Sequence, residues 1–518
     1  MCCIRHFMLP ILTNTQIREV ERAFMVNSSV TPLELMEQAA RQCTDRLLRD
    51  IAQGEFGPAT TFVVVVGMGN NGGDGLVIAR LLTAAGISVR VIRVLHKEER
   101  SLEHRVNHLE LLKIGVPCVD IADPLGEVEL FGNEVVIDCL LGTGVSRPPT
   151  GLLRNVIRNL NNSGRSIVSI DLPSGLVEPG SDQPFDPESC IRADRTFTFE
   201  VPRPALLLAE TGPFAGQWEL LPIGLDPELL GASARFGEWV EATDVRDHLM
   251  QRPRFSHKGT FGHALLIAGS KGMFGAAVLA TKACLRSGVG LVSAHVPDKL
   301  ATTMHLAAPE ALCSIDHSPD HVAQLPLLEQ FSAVAIGPGL GSHPESSTVV
   351  ETLLSSVEVP LVLDADALNI LANNPGWFRH LSKNTVLTPH PKEMDRLLSS
   401  PSISGFERLE RTREFALEHG CIVVLKGAYT AICLMDGNVQ FNSTGNAGMA
   451  KGGSGDVLTG LLTGFLAQGY TPHHAALIAV HLHGSAGDLA ATALGMDAMH
   501  AGDLIEYLPQ AWKMLREN

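Results

Sequence analysis

No stretch of this 518-residue chain approaches the roughly 20 consecutive apolar residues that a membrane-spanning helix needs. The N-terminal segment Met1 to Leu12 is also too short in apolar character for a secretory signal, and Met8 opens the more organised sequence and is an alternative start. Basic charge is scarce: the net charge is −16, which excludes the broad positive field of nonspecific nucleic-acid binding. Cysteine is scattered, at positions 2, 3, 43, 118, 139, 190, 284, 313, 421 and 433, with no CxxC pair and no His/Cys group at zinc spacing. Cys139 and Cys433 fall inside apolar strand-like runs and read as buried thiols, so a reducing cytoplasmic location is expected. Charged residues reach only 19%, against 45% hydrophobic residues and 49 glycines. That is the balance of a loop-rich α/β protein, and the length is too great for one hydrophobic core.

The pattern along the chain repeats a strand–glycine-turn–helix unit. Thr15 to Ile51 suggests one or two amphipathic helices with Val20, Phe24, Leu33, Leu35 and Met36 on the apolar stripe. Phe62-Val63-Val64-Val65-Val66 is apolar on both faces, as in a buried parallel strand. A glycine-rich loop, Gly67 to Gly75, follows, then a helix expected over Leu76 to Ala85 and a strand over Ser88 to Leu95. Glu134 to Leu141 and Ser166 to Leu172 repeat the theme, ending in Gly142-Thr143-Gly144 and Pro173-Ser174-Gly175. Between about Leu221 and Arg254 strands are lost, so the domain boundary is expected at 226–253, between a first domain, 1–225, and a second, 254–518. The second half restarts at Gly262 to Ser270 with another apolar strand running into a glycine turn, and a small-residue helix follows over Ala276 to Ser287. Further strands are expected at Leu291–Val296, Ala333–Gly337, Pro360–Leu363, Thr385–Leu387 and Cys421–Leu425, with a hairpin over Ala431–Leu434 and Val439–Asn442. No internal repeat is visible.

The most informative segment is Ala450-Lys451-Gly452-Gly453-Ser454-Gly455-Asp456, which opens an apolar helix over Val457 to Leu466. Free N–H groups at such a helix start form an anion cradle. Asp456 at its mouth is suited to take a proton from a hydroxyl engaged with phosphate. The upstream cradle has GxGxxG spacing at Gly67, Gly69 and Gly72, but the acid of a dinucleotide-binding loop is missing about 20 residues on, where Arg93-Val94-Leu95-His96 stands. Asn70, Asn71 and Asp74 instead offer oxygen and amide groups to a ligand or a cation. His473, His474, His481 and His483 share one C-terminal helix, but residues two apart do not share a helix face, so packing and surface roles are expected.

The motif Asn70-Asn71-Gly72-Gly73-Asp74-Gly75, with Asp138-Cys139-Leu140-Leu141-Gly142-Thr143-Gly144 and Asp171-Leu172-Pro173-Ser174-Gly175, resembles the epimerase domain of NAD(P)H-hydrate repair enzymes over residues 10 to 225. This resemblance implies a Rossmann-like three-layer αβα sandwich. It assigns the hydrated cofactor to Asn70, Asn71, Gly72, Gly73 and Asp74, to Gly142, Thr143, Gly144, Val145, Ser146, Arg147 and Pro148, and to Asp171 at the reacting ring. Asn71, Asp138 and Ser174 would hold a potassium ion. The sequence departs from the family after Phe197-Thr198-Phe199, where a lysine is usual and Glu200-Val201-Pro202-Arg203-Pro204 stands here, so a change in epimerase function is expected.

The second half resembles the nucleotide-dependent NAD(P)H-hydrate dehydratases of the ribokinase-like superfamily over residues 240 to 515. The carrying segments are His257-Lys258-Gly259, Ala268-Gly269-Ser270, Gly275-Ala276, Gly337-Pro338-Gly339-Leu340-Gly341, Asp364-Ala365-Asp366, Pro389-His390-Pro391-Lys392-Glu393, Lys426-Gly427 and Gly453-Ser454-Gly455-Asp456. The resemblance implies a ribokinase-like αβα fold, Mg²⁺, and ADP, with ATP as the alternative phosphate donor. It assigns substrate to Ala276, Gly339, His390 and Asp456, and nucleotide to Lys426, Gly427, Ala428, Tyr429, Thr430 and Gly455. His390 also has a plain structural reading as a turn residue, and Asp364 and Asp366 either pin the strand end or position phosphate and metal. The expected protein is a bifunctional, cytoplasmic, homo-oligomeric repair enzyme for hydrated NADH and NADPH, with no nucleic-acid or membrane partner. Its rivals are a small-molecule hydroxyl kinase in the second half and a first domain that binds nucleotide without turnover.

Overall fold

A computed structural model describes residues 7–57, 60–181 and 183–517. Cys2, Cys3 and the first six positions of the Met1–Leu12 segment lie outside the described residues. Leu9–Phe236 forms one compact unit, and residues 237–517 together with residues 7 and 8 form the other.

The first unit is built on a parallel sheet of seven strands. They are β1 (Thr61–Val66), β2 (Val89–Val94), β3 (Cys118–Ile121), β4 (Glu134–Cys139), β5 (Ile167–Ile170), β6 (Arg195–Phe199) and β7 (Gln217–Leu221). Their spatial order is β3-β2-β1-β4-β5-β6-β7. Phe62 to Val66 are all fully buried, as the unbroken apolar run requires of a central strand covered on both faces. The chain runs to one edge through β2 and β3, then returns to the other side of β1 through β4. The C-terminal ends of β1 and β4 therefore flank a topological switch point, where loops diverge and leave a crevice.

One expectation for this unit is corrected. The segment Asn70 to Gly75 is not a loop before a helix at Leu76: the helix spans Asn70–Ala84 and already contains it. Glycine makes this possible, because a Cβ at Gly72 would stand 2.0 Å from the Gly67 carbonyl oxygen. The two asparagines thereby sit in the first helical turn, at the strand's C-terminal end.

The stretch 226–253 was expected to carry no strand, and this too is corrected. It holds the helices Pro227–Ala232 and Ala242–Arg246 and the strand β8 (Gly237–Val240). With only four residues, and Glu238 among them, β8 has no apolar run to betray it; it is defined by pairing, with Glu238 opposite Gln440 and Trp239 opposite Phe441.

The other strands of the second unit are β9 (His263–Ile267), β10 (Leu291–Pro297), β11 (Leu312–Asp316), β12 (Ala333–Ile336), β13 (Leu361–Leu363), β14 (Thr385–Leu387), β15 (Ile422–Leu425), β16 (Ala431–Cys433) and β17 (Val439–Asn442). Strand β11, whose residues are mostly exposed or half-buried at the sheet edge, was not expected from sequence. The order is β8-β17-β16-β15-β14-β13-β12-β9-β10-β11. Pairing is parallel from β11 through to β15 and antiparallel in the β15–β16–β17 meander. The switch point lies between β9 and β12, whose following loops are Ala268–Met273 and Gly337–Gly341. The helix Ser454–Ala467 packs over this region, and all its residues from Val457 to Ala467 are buried. Close packing is enforced by Gly460, where a Cβ would meet the Ala280 carbonyl oxygen at 2.0 Å.

Candidate functional sites

At the switch point of the first unit lies a cavity of about 410 Å³, lined by Asn70, Asn71, Asp74, Gly142, Thr143, Gly144, Val145 and Asp171 among others. Gly72 and Gly73 are buried behind it, and Gly73 faces the Met36 side chain. Ser146, Arg147 and Pro148 are not among the cavity's lining residues. Asp171 follows β5 with φ 69°, a left-handed conformation that is strained for a non-glycine residue and that clusters at functional positions. Its Oδ2 accepts the Thr143 N–H at 2.7 Å. Gly142 must lack a side chain, since a Cβ would stand 2.5 Å from that same oxygen.

Burial raises the Asp171 pKa, and the Arg203 guanidinium opposes that rise. Asp74 is pushed well above the carboxylate range, by burial first and then by Asp171 and Glu21. Glu21 is a lining residue that the sequence pattern did not single out; burial pushes its pKa up to about 7, with Arg203 opposing and Asp171 adding to the rise. The helix Asn14–Ser28 gives no local signal that its Glu21 faces a cavity.

The missing family lysine has a counterpart. Arg203 is 1% exposed, and its guanidinium donates to the Val201 carbonyl at 2.5 Å and the Phe199 carbonyl at 3.4 Å. Burial lowers its pKa, while Asp171, Glu21, Glu178 and Glu200 favour its charge. A cation therefore stands close enough to Asp171 to oppose the rise of its pKa. Glu200, at φ 59°, turns its carboxylate the other way, onto the N–H groups of Ile223 and Gly224 at 2.7 and 3.0 Å.

Below this cavity Asp138 is fully buried. Its oxygens accept from Leu140 N at 3.2 Å, Ser169 Oγ at 2.8 Å, Ser174 N at 2.9 Å and Ser174 Oγ at 2.6 Å, all neutral donors. Burial raises its pKa, and those hydrogen bonds oppose the rise. The Asn71 amide donates to the Leu141 carbonyl at 2.8 Å and the Ile170 carbonyl at 3.2 Å, while its buried Oδ1 has no hydrogen-bond partner. An orphaned amide oxygen, backbone carbonyls and a carboxylate held by neutral donors form an all-oxygen set that fits a hard monovalent cation.

At the switch point of the second unit, Gly339 and Ala276 lie together: a Cβ on Gly339 would be 3.0 Å from that of Ala276. Ser270 Oγ ties the two loops by donating to the Gly339 carbonyl at 2.8 Å, and Asp366 Oδ2 accepts the Gly341 N–H at 2.8 Å. Asp366 thus pins the loop after β12. Asp364 does something different. Lys426 Nζ donates to its Oδ1 at 2.9 Å, and Thr459 Oγ1 donates to its Oδ2 at 2.7 Å. Burial works against the Lys426 charge, but Asp364 and Glu393 outweigh it and raise its pKa.

Ser454–Ala467 starts earlier than the sequence suggests, so Asp456 sits in its first turn after Gly453, whose φ is 93°. Burial pushes the Asp456 pKa up to about 7; Asp364 and Asp366 add to the rise, and Lys426 opposes it. A Cβ on Gly455 would stand 3.3 Å from Lys426 Nζ and 3.8 Å from Asp364 Oδ2, so the missing side chain leaves open the space between helix start, lysine and carboxylate. A helix N-terminus, a lysine and three neighbouring carboxylates suit an anion with a divalent cation. Gly427 and Ala428 are exposed beside Lys426, and Thr430 Oγ1 donates back to the Gly427 carbonyl at 3.3 Å. The Tyr429 ring lies 5.6 Å from that of Trp239.

His390 caps the helix Pro391–Leu397: its Nδ1 accepts from Lys392 N at 3.1 Å and Glu393 N at 3.4 Å. Its Nε2 lies 3.4 Å from Glu393 Oε1, which brings it to the edge of the Lys426 cluster. His483 reaches the cradle too, with Nε2 2.9 Å from the Ser454 carbonyl oxygen. His473 and His474 pack against each other, His474 stacks on His248, and His473 Nε2 lies 2.8 Å from Gln440 Oε1.

The fold and these two crevices define an α/β protein with a separate switch-point site in each of its two halves. Residues 32–205 match the family described as YjeF-related protein N-terminus, and residues 264–510 match NAD(P)H-hydrate dehydratase. The bifunctional NAD(P)H-hydrate repair enzyme of Moorella thermoacetica is 37% identical, covering 98% of this chain and 97% of its own length. That of Escherichia coli is 33% identical, covering 95% and 92%. A Bacillus subtilis ADP/ATP-dependent NAD(P)H-hydrate dehydratase, co-crystallised with ATP and Mg²⁺, is 34% identical and covers 54% of this chain and 100% of its own, with a TM-score of 0.48. The chain belongs to the family of bifunctional NAD(P)H-hydrate repair enzymes.

Proposed function

We propose that the protein returns hydrated NADH and NADPH to their active forms, the first unit interconverting the two epimers and the second dehydrating the S form. The observation that supports this most strongly is the pairing of two switch-point crevices, each with a carboxylate whose pKa is raised by burial, Asp171 in one and Asp456 in the other. A group tuned toward neutrality exchanges protons efficiently at physiological pH.

In the first site, the ring nitrogen donates its electron pair as the C–O bond breaks, Asp171 gives its proton to the departing hydroxyl, and it takes a proton back from water as water re-adds to the opposite face of the ring. Arg203 holds the charge that Asp171 carries when ionised, and Asn70, Asn71 and the Gly142–Val145 loop position the ring and its phosphates. Asn71, Asp138 and Ser174 would hold a potassium ion, which would offset the buried Asp138 charge.

In the second site, Asp456 removes the proton from the hydroxyl of the bound hydrate. The N–H groups of Gly453 to Gly455 face the phosphoryl group as it transfers, and Lys426 adds a fixed positive charge beside it. Bound ADP or ATP with Mg²⁺ supplies the phosphoryl group, and phosphate then departs as the ring nitrogen donates its electron pair. Loss of a proton from the adjacent ring carbon restores the double bond. Ala276 and Gly339 leave room for the hydrate, and His390 and Glu393 border the site.

A kinase that releases a stable phosphorylated product shares this cradle. The ring nitrogen next to the hydroxyl-bearing carbon is what makes elimination follow phosphorylation. The test is return of reduced-nicotinamide absorbance from purified hydrate with Mg²⁺ and either ADP or ATP. Recovery with one of them supports the reading, and accumulation of a phosphorylated hydrate without recovery rejects it in favour of the kinase. The free cysteines among the described residues accord with a cytoplasmic location.

A further inference from the structure

Away from both crevices, one ring nitrogen each of His321 and His343 and a carboxylate oxygen of Glu345 come within 4.8 Å of one another. The three residues are separated in sequence by the β12 strand and its glycine turn, so no local motif announces them. Two anchored segments bring them together. Asp316, 2% exposed, accepts the N–H groups of Ser318 at 2.8 Å and of Ala323 and Gln324 at 2.9 Å, closing the loop after β11. Ser346, in the first turn of the helix Pro344–Ser356, is buried and donates to the Val322 carbonyl at 2.7 Å. His321 on the loop and His343 and Glu345 at the helix start are thereby held face to face.

The geometry is specific. His321 Nε2 lies 2.7 Å from Glu345 Oε2, and His343 Nδ1 lies 3.6 Å from the same oxygen. The two imidazoles stack with centroids 3.6 Å apart at 28°. Ser318 Oγ sits 3.1 Å from His321 Nδ1, so one ring nitrogen is oriented by a hydroxyl while the other points at the carboxylate. That division of labour is what outer partners impose on a ligating histidine. One carboxylate oxygen thus faces a nitrogen of each of two stacked rings.

Donors held about 2.0–2.2 Å from a zinc-class ion stand a little over 3 Å apart around it, so to ligate together the rings turn out of their stack and His343 Nδ1 gives up the Glu345 N–H that it accepts at 3.3 Å as the helix cap. Two imidazole nitrogens with one carboxylate oxygen suit such borderline ions, whereas Mg²⁺ takes oxygen donors. We propose that His321, His343 and Glu345 form a binding site for a divalent transition ion of the zinc class, with water in the positions left open on the exposed side.

The site is placed to matter to its neighbours. The Asp320 carbonyl accepts the Lys271 N–H at 2.7 Å, and Ser270, next to Lys271, holds the Gly339 carbonyl. His343 follows Gly341 by two residues. An ion at this point would tie the loop after β11 to the loop that carries Gly339.

The test uses the full-length protein, stripped with EDTA and dialysed, then titrated calorimetrically with ZnCl₂ and separately with MgCl₂. Wild type is expected to bind one equivalent of Zn²⁺ and no Mg²⁺ at this site. His343→Gln and Glu345→Gln, both at exposed positions and checked by circular dichroism, should each weaken Zn²⁺ binding at least tenfold. Substituting Co²⁺ should give a visible spectrum of nitrogen and oxygen ligation, without thiolate charge transfer. Absence of stoichiometric Zn²⁺ binding overturns the proposal. So does binding that both variants leave intact, or a thiolate spectrum, since the cysteines would then be the ligands.

Discussion

Lys426 Nζ meets Asp364 Oδ1 at 2.9 Å at the foot of the helix that carries Asp456, and Asp364 is only 1% exposed. A carboxylate so enclosed depends on its cation. Removing one partner of a buried pair costs about 3 kcal/mol or more. Lys426→Met is therefore expected to lower unfolding stability by about that amount, measured by urea denaturation. It should also abolish nucleotide binding, measured by calorimetry. Asp364→Asn, which leaves Lys426 near Glu393, should be milder in stability.

The pH dependence of the dehydratase follows from Asp456, whose pKa stands at about 7. As the proposed base it must be ionised, so kcat/KM should rise with pH through about 7 and then level off. Asp364→Asn removes a neighbouring negative charge and should move that limb to lower pH. Stability runs in the opposite sense. The unfolded carboxyl ionises near its ordinary value of 3.8 and the folded one near 7, so this residue's contribution falls as pH rises between them. Asp456→Asn should flatten that part of the stability profile.

Much of the geometry around Asp456 was legible in the chain. The glycine run before an apolar helix marked a helix start with free N–H groups, and apolar runs such as Phe62 to Val66 and Ala264 to Ile267 marked strands inside the sheets. What stayed hidden depends on tertiary packing. The edge strands β8 and β11 are short and carry polar or exposed residues, so pairing rather than composition defines them. Glu21 and Arg203 converge with Asp171 only because the sheet brings distant segments together. The asparagines of the first cradle were placed in a loop, because glycine-rich sequence reads as irregular. There, glycine instead lets a helix start approach the backbone at Gly67.

Arg203 provides a graded test of the first site. Arg203→Lys keeps the charge beside Asp171 and should retain epimerisation within about tenfold, since only the carbonyl hydrogen bonds change. Arg203→Met leaves a cluster of acids without its buried cation and should lose roughly 100-fold or more. Epimer interconversion followed by chromatography distinguishes the two, and the dehydratase rate should be unchanged in both.

Gly455→Ala tests the nucleotide cradle without touching a charged group. Alanine favours a helix over glycine by about 1 kcal/mol, so folding should be preserved. The methyl group would occupy space 3.3 Å from Lys426 Nζ. Nucleotide affinity should fall at least tenfold, read by calorimetry.

Division of labour between the two sites is the central claim, and recovery of reduced-nicotinamide absorbance from separated hydrate epimers tests it most directly. Wild type, with the nucleotide it uses and Mg²⁺, should recover both epimers. Asp171→Asn should recover only the S form at early times, and Asp456→Asn should recover neither while still interconverting them. Rapid recovery of both epimers by Asp171→Asn, or nucleotide-dependent recovery by Asp456→Asn at the wild-type rate, would contradict the account.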